Sequence, residues 1–253
     1  MIHPALLAKE IRENRVKLII FLVLLGAVAL SLPLIFEPAR EFFQSIDLSP
    51  YIDPQALNFI SASFESFAWS QWTAKNLSQV GTLAAIVFGM GAFSNELSYG
   101  TALFLLSKPV TRREIYTTKV VAGILLLAVS VLGSTLLLAL VAALKGFDLD
   151  YGAFFVANLI AFAGLAVVYL GTVIFSVLIA EAVKAGVAAA FFWLLLSIPG
   201  YFAPTAELSI FYQIKAIPYW LNGQSAIVPL GFFLVLAGAL YEIGVWLWNR
   251  REI

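Results

Sequence analysis

Apolar residues in this chain are gathered into blocks, and several blocks approach the ~20 residues that a helix needs to cross a bilayer. They fall at about 17–36, 78–94, 119–144, 152–180, 183–200 and 226–248. The chain therefore reads as an all-α integral membrane protein with six transmembrane helices. Composition agrees: 62% of residues are hydrophobic and 12% charged, against about 25% charged in an ordinary soluble domain. Six spans use most of residues 1–253, which leaves no room for a separate soluble domain and implies a single membrane domain. Ala27-Val28-Ala29 has the small-residue pattern of a leader cleavage site. The apolar run continues past it to Phe36, which favours a retained span over a cleaved leader.

There is no cysteine, so disulfides and thiolate metal sites are excluded. The single histidine, His3, lies outside the spans, which argues against a histidine-based metal, haem or proton-relay site. A membrane-embedded enzyme would need a nucleophile with a base, a carboxylate pair or a metal set, and the spans supply only one acid, Glu242.

Charge gives the orientation. Lys9, Arg12, Arg15, Lys17, Lys108, Arg112, Arg113, Lys119, Lys184, Arg250 and Arg251 fall on one side of the six-span scheme. Only Arg40, Lys75, Lys145 and Lys215 fall on the other. The positive-inside rule then places both termini in the cytoplasm of a cell-membrane protein. Trp69, Trp72, Tyr151, Tyr201, Tyr219 and Trp220 are expected as outer interfacial anchors, with Trp246 and Trp248 as inner ones.

Residues 1–17 read as an amphipathic cytoplasmic helix with Leu6, Leu7 and Ile11 on its apolar face. Residues 37–77 form a long external segment, acidic through Glu37, Glu41, Asp47, Asp53 and Glu65 and punctuated by Pro38, Pro50 and Pro54. After Pro54, the spacing of Leu57, Ile60, Phe64, Phe67 and Trp72 predicts a helix on the outer leaflet, serving as a packed lid or as an exit gate. Small residues recur at packing distance: Ala85 and Gly89 in span two, and Ala182, Gly186 and Ala190 in span five. Such ladders bring helices close, either within the chain or between two copies. Glu242, two turns before Arg250, is either a functional intramembrane acid or an interfacial group paired with a base.

The region 95–118, between spans two and three, is more elaborate than a plain connection requires. Tyr99, Leu103, Leu106 and Val110 would share one side of a helix weakened by Gly100 and stopped by Pro109. Thr111 and Glu114 then have capping-box spacing, with Val110 and Ile115 in staple positions. A helix, a rigid break and a second helix carrying exposed apolar and charged groups suit a docking surface for a soluble partner. Arg112, Arg113, Glu96 and Glu114 are expected to make directional charge contacts there.

The pattern Glu96, Gly100-Thr101, Leu105-Leu106-Ser107, Pro109-Val110-Thr111-Arg112, Glu114 and Lys119 resembles the cytoplasmic loop of ABC-2-type transporter permeases. The resemblance implies an ABC-2 (type V exporter-like) architecture with a cytoplasmic coupling helix between spans two and three. It further implies two permease chains, as a homodimer or heterodimer in membrane lipid, docked on two cytoplasmic ABC ATPase subunits. Glu181 and Lys184 would supply a second, smaller contact. No cofactor is expected on this chain, because ATP and Mg would sit on the ATPase, and no nucleic-acid partner is implied. The sequence has no Gly-x-x-x-x-Gly-Lys-Ser/Thr phosphate loop, so the energy must come from another polypeptide. The competing reading is an ATP-independent multispan carrier or channel, which would need paired intramembrane charges, broken helices or a repeated half.

Overall fold

A computed structural model describes residues 2–45 and 53–252. Asp47 and Pro50 of the external segment lie outside the described residues. Among those described, the chain is helical throughout, with no strand. A short helix α1 (Pro4–Glu13) precedes α2 (Arg15–Ser45). Beyond them come α3 (Pro54–Ala62), α4 (Phe64–Ala68), a π-helix (Trp69–Gly81) and α5 (Thr82–Met90). Two short helices, α6 (Ser94–Ser98) and α7 (Thr101–Leu106), lead into α8 (Arg112–Lys145). Then follow α9 (Tyr151–Leu178), α10 (Ala182–Ser197), α11 (Ile210–Ile214), α12 (Ile217–Trp220) and α13 (Ile227–Arg250).

Six helical stretches among the described residues are long and apolar enough to cross a membrane: 15–43, 64–98, 112–145, 151–178, 182–201 and 227–250. The first and second differ from the lengths read in the sequence. Helix α2 runs through Pro33 and Pro38 instead of ending near Phe36. The second rod begins at Phe64 instead of near residue 78, so only α3 remains of the expected outer-leaflet helix. Its mean hydropathy, 1.5, is the lowest of the six, because its first half is polar. Those polar groups find partners inside the bundle. Trp72 donates to Thr135 Oγ1 at 3.1 Å, and Thr73 to Asn158 Oδ1 at 3.4 Å. Asn76 donates back to the carbonyl of Gln71, five residues away, at 2.6 Å. Once satisfied, such groups cost little to bury.

Helix α9 is the hub of the bundle. It packs against α5, α8, α10, α11, α13 and the π-helix. Helices α10 and α13 leave most of their surface uncovered, with Val187, Phe191, Leu194, Val228, Leu234 and Val235 exposed. The small-residue ladders work within the chain at their glycines. A Cβ on Gly89 would meet Thr172 of α9 at 2.9 Å, and one on Gly186 would meet Met90 Sδ at 2.7 Å.

The expected aromatic belts are only partly at surfaces. Trp69, Trp72 and Trp248 are buried, whereas Tyr201 and Trp246 are exposed. Trp69 stacks on Trp220 at 5.9 Å and donates its indole N–H to the Lys215 carbonyl at 3.1 Å. The Trp69 and Trp72 indoles, each with a partner for its N–H, are as suited to an interior as to an interface.

Candidate coupling region

One end of the bundle gathers the segments on the basic side of the charge scheme: α1, α6 and α7, the start of α8, the end of α9 and the end of α13. His3 N–H donates to Thr118 Oγ1 at 3.0 Å, and Ser94 donates to the Ile179 carbonyl at 2.8 Å. Arg251 donates to the Leu178 carbonyl at 3.1 Å. Beneath them lies an aromatic floor. Phe93 stands 5.4 Å from Tyr116 and 4.6 Å from Trp248, tying the ends of α5 and α13 to the start of α8.

Glu96 does not face outward as a docking acid. It is 7% exposed and sits in a buried four-charge cluster. Its Oε1 accepts from Lys9 and from Lys119, both at 3.0 Å. Lys119 also reaches Glu10 at 2.6 Å. Two acids and two bases leave the cluster neutral, and it pins α1 to α6 and α8 at once. Burial disfavours the charge on Lys9, but the hydrogen bond to Glu96 and the charges of Glu96, Glu10 and Glu13 outweigh it. Its pKa is held above the ordinary lysine value. Glu10 and Lys9 were absent from the sequence-derived site. The available signal was spacing: Glu10 lies one turn after Leu6, on the face that the sequence assigns to apolar contact.

The remaining charged residues of the motif are also engaged within the chain. Arg112 donates to the Trp248 and Asn249 carbonyls at the end of α13 and to that of Arg251 just beyond it, at 3.0, 3.2 and 2.8 Å. It serves as a cationic cap for that helix. Arg113 pairs with Glu242 at 2.9 Å, with both side chains largely exposed. Glu242 is therefore paired with a base from the start of α8. Glu114 and Thr111 form the expected capping box at the start of α8. Glu181 and Lys184 pair with each other across one turn and are exposed.

The single helix expected along Tyr99, Leu103, Leu106 and Val110 is broken in two. Gly100 adopts φ +68°, the left-handed region, and separates α6 from α7. A glycine tolerates that conformation where other residues are strained, so the break is encoded by one residue type. Thr101 opens α7, and Ser107 closes it by donating to the Phe104 carbonyl at 2.8 Å. The break reorients the side chains. Leu105 and Leu106 are half-buried against the bundle, whereas Tyr99, Leu103 and Phe104 are 78%, 60% and 67% exposed. Lys108 lies over the Phe104 ring at 4.5 Å, and Pro109 is exposed beside it.

The sequence matches the family described as ABC-2 family transporter protein over residues 5–245. The chain belongs to that family. It is thus the membrane permease of an ABC transporter, a multi-pass transport subunit that is not itself catalytic. Membership in the ABC-2 family implies association with ABC ATPase subunits. No curated protein matches the chain.

Proposed function

We infer that this ABC-2 permease works as a dimer in an ATP-driven exporter, coupled to separate ATPase subunits through residues 96–119. ATP and Mg bind on the ATPase, and the N- and C-termini of the permease lie in the cytoplasm of the cell membrane. The observation that carries the reading is the division of labour in the coupling region. Glu96, Arg112, Glu114 and Lys119 are engaged within the chain, while Tyr99, Leu103, Phe104 and Pro109 stand out from the membrane domain as an apolar knob. Exposed apolar surface of this kind marks a binding site when it is held on a rigid base. The base is rigid because α7 is bounded by Gly100 and the turn at Pro109, and because the buried cluster ties α6 to α1 and α8.

Force applied to α7 would pass through Gly100 into span two and through the capped start of α8 into span three. The Glu181–Lys184 turn at the same end of the bundle provides a second, smaller contact. Gly100, Thr101, Ser107 and Pro109 shape the knob. Leu105 and Leu106 seat it on the bundle.

The test is capture of the ATPase from the native membrane by the tagged full chain. Replacing Leu103 and Phe104 together with Asp is expected to abolish recovery of a stoichiometric soluble ATPase, with membrane insertion and the size-exclusion profile unchanged. Undiminished recovery by the properly inserted double variant would overturn the coupling assignment.

A further inference from the structure

Two adjoining cavities lie outside the coupling region, one between α9, α10 and α13 and the other between span two and α10, both closed by the segment that joins α10 to α13. The first is a slot of about 610 Å³ walled by apolar side chains, among them Phe175, Phe192, Leu196, Phe232, Leu236 and Leu240. Along α13 its lining extends from Val228 to Leu240, which is roughly 18 Å of helix at about 1.5 Å per residue. Val228 and Phe232 are exposed on the bundle surface, so the slot opens onto the outside of the chain. The second cavity, of about 310 Å³, mixes apolar walls with several polar groups. Ser78, Gln79 and Thr82 of span two, Tyr201, Tyr212 and Lys215 line it. Lys215 is the only charged residue in its lining, and it has no carboxylate partner among the described residues. Both volumes fall within the ordinary range of small-molecule sites.

Trp193 and Ser209 line both cavities. Trp193 is only 3% exposed, yet its indole N–H has no acceptor among the described residues. A buried donor without an acceptor costs about 1–3 kcal/mol, and buried indoles ordinarily find one. Room for this ring is specifically provided, because a Cβ on Gly171 would meet Trp193 Cζ2 at 2.4 Å. A ligand oxygen placed between the cavities would satisfy the donor. Glu207 lies along the apolar slot and Lys215 along the second cavity, so a negative headgroup is directed to the Lys215 side.

We propose that these joined cavities bind an amphiphile with one long apolar chain and an anionic headgroup, the chain in the α10–α13 slot and the headgroup against Lys215. Trp193 donates to an oxygen at the junction of the two parts. A single slot accepts one chain, which distinguishes this ligand from a two-chain bilayer phospholipid. The proposal concerns binding by this chain alone, and failure of ATPase capture would leave it standing.

The experiment uses the full chain in nanodiscs of zwitterionic lipid and a fatty acid carrying a photoreactive diazirine in mid-chain. Labelled peptides are mapped by mass spectrometry. The expected result is labelling concentrated on 171–175, 192–196 and 228–240. Unlabelled fatty acid and a single-chain anionic phospholipid should compete for it, and a single-chain phosphocholine should compete poorly. Lys215→Gln is expected to weaken anionic competition roughly tenfold and to erase the headgroup preference. The carbonyl that accepts from Trp69 remains in that variant, so it keeps its fold. Trp193→Phe should weaken binding roughly fivefold with the ring area retained. Leu236→Trp should fill the slot and remove labelling altogether. Labelling spread over α2, or labelling that no competitor reduces, would overturn the site. Equal competition by anionic and phosphocholine headgroups, in the unaltered chain and in Lys215→Gln, would overturn the headgroup assignment.

Discussion

Two sets of opposite charges lie near the same end of the bundle, and they are physically unlike. In one, Lys119, Glu10 and Glu96 have side chains less than a tenth exposed, and Lys9 closes the set from the half-open side. In the other, Arg113 and Glu242 meet at 2.9 Å with more than half of each side chain exposed. The distances are nearly equal and the energetic consequences are not. An exposed pair trades hydration for a modest attraction and gains little. A buried set has given up its hydration already, so removal of one member strands a charge in a medium that cannot solvate it. The buried set should therefore hold the architecture together, and the exposed pair should be dispensable.

The largest test of that contrast is Lys119→Met. It removes the buried base shared by Glu10 and Glu96, leaving them only the half-exposed Lys9, and is expected to destabilise the folded chain by about 3–5 kcal/mol. The readout is the midpoint of thermal loss of the monodisperse size-exclusion peak. Adding Glu10→Gln should recover part of the loss, because the double change removes one stranded charge. No loss in the single variant would place the cluster with the exposed pair and end the comparison.

Arg112→Met is intermediate. It deletes a cation that donates to three carbonyls at and just beyond the end of α13. The expected cost is about 2 kcal/mol, read by the same assay. Proteolysis should then trim the C-terminus faster, since α13 would fray from that end. Thr111→Ala removes the side-chain cap of α8 and should cost about 1 kcal/mol.

The smallest effect is assigned to Glu242→Gln, at less than about 0.5 kcal/mol and with unchanged ATPase capture. Raising the salt concentration should erase even that difference, because exposed charges are screened. A large loss of transport at normal assembly would instead return Glu242 to the functional role that its position first suggested. Lys9 provides a finer check on the buried side. Its pKa is raised in the folded chain, so its stabilising contribution is complete below the ordinary lysine value and fades only as pH rises through the higher folded value. The effect of Lys9→Met should accordingly be constant across the neutral range.

Several elements were readable directly from the chain. The six apolar blocks correspond to six long helices, because the length needed to cross a bilayer is a property of local composition. The capping box at Thr111 and Glu114 was legible for the same reason, since its partners are three residues apart. The break at Gly100 was half legible. Glycine marked a weak point, but its left-handed φ, and with it the choice of Leu103 and Phe104 over Leu105 and Leu106 as the exposed face, depended on how the flanking helices pack.

What sequence alone determined is the membrane class, the number of spans and the position of the loop that carries the family motif. Each rests on interactions within one turn or one apolar block. Tertiary structure decided which charges anchor and which are exposed, because Glu10 and Lys119 are separated by 109 residues and meet only when α1 folds onto α8. It also decided that the second long helical stretch begins at Phe64. A polar stretch enters the bundle only where α8 and α9 supply partners for Trp72 and Thr73. A charge or hydroxyl has the same symbol in the sequence whether water or another side chain solvates it, and that difference is made entirely by the fold.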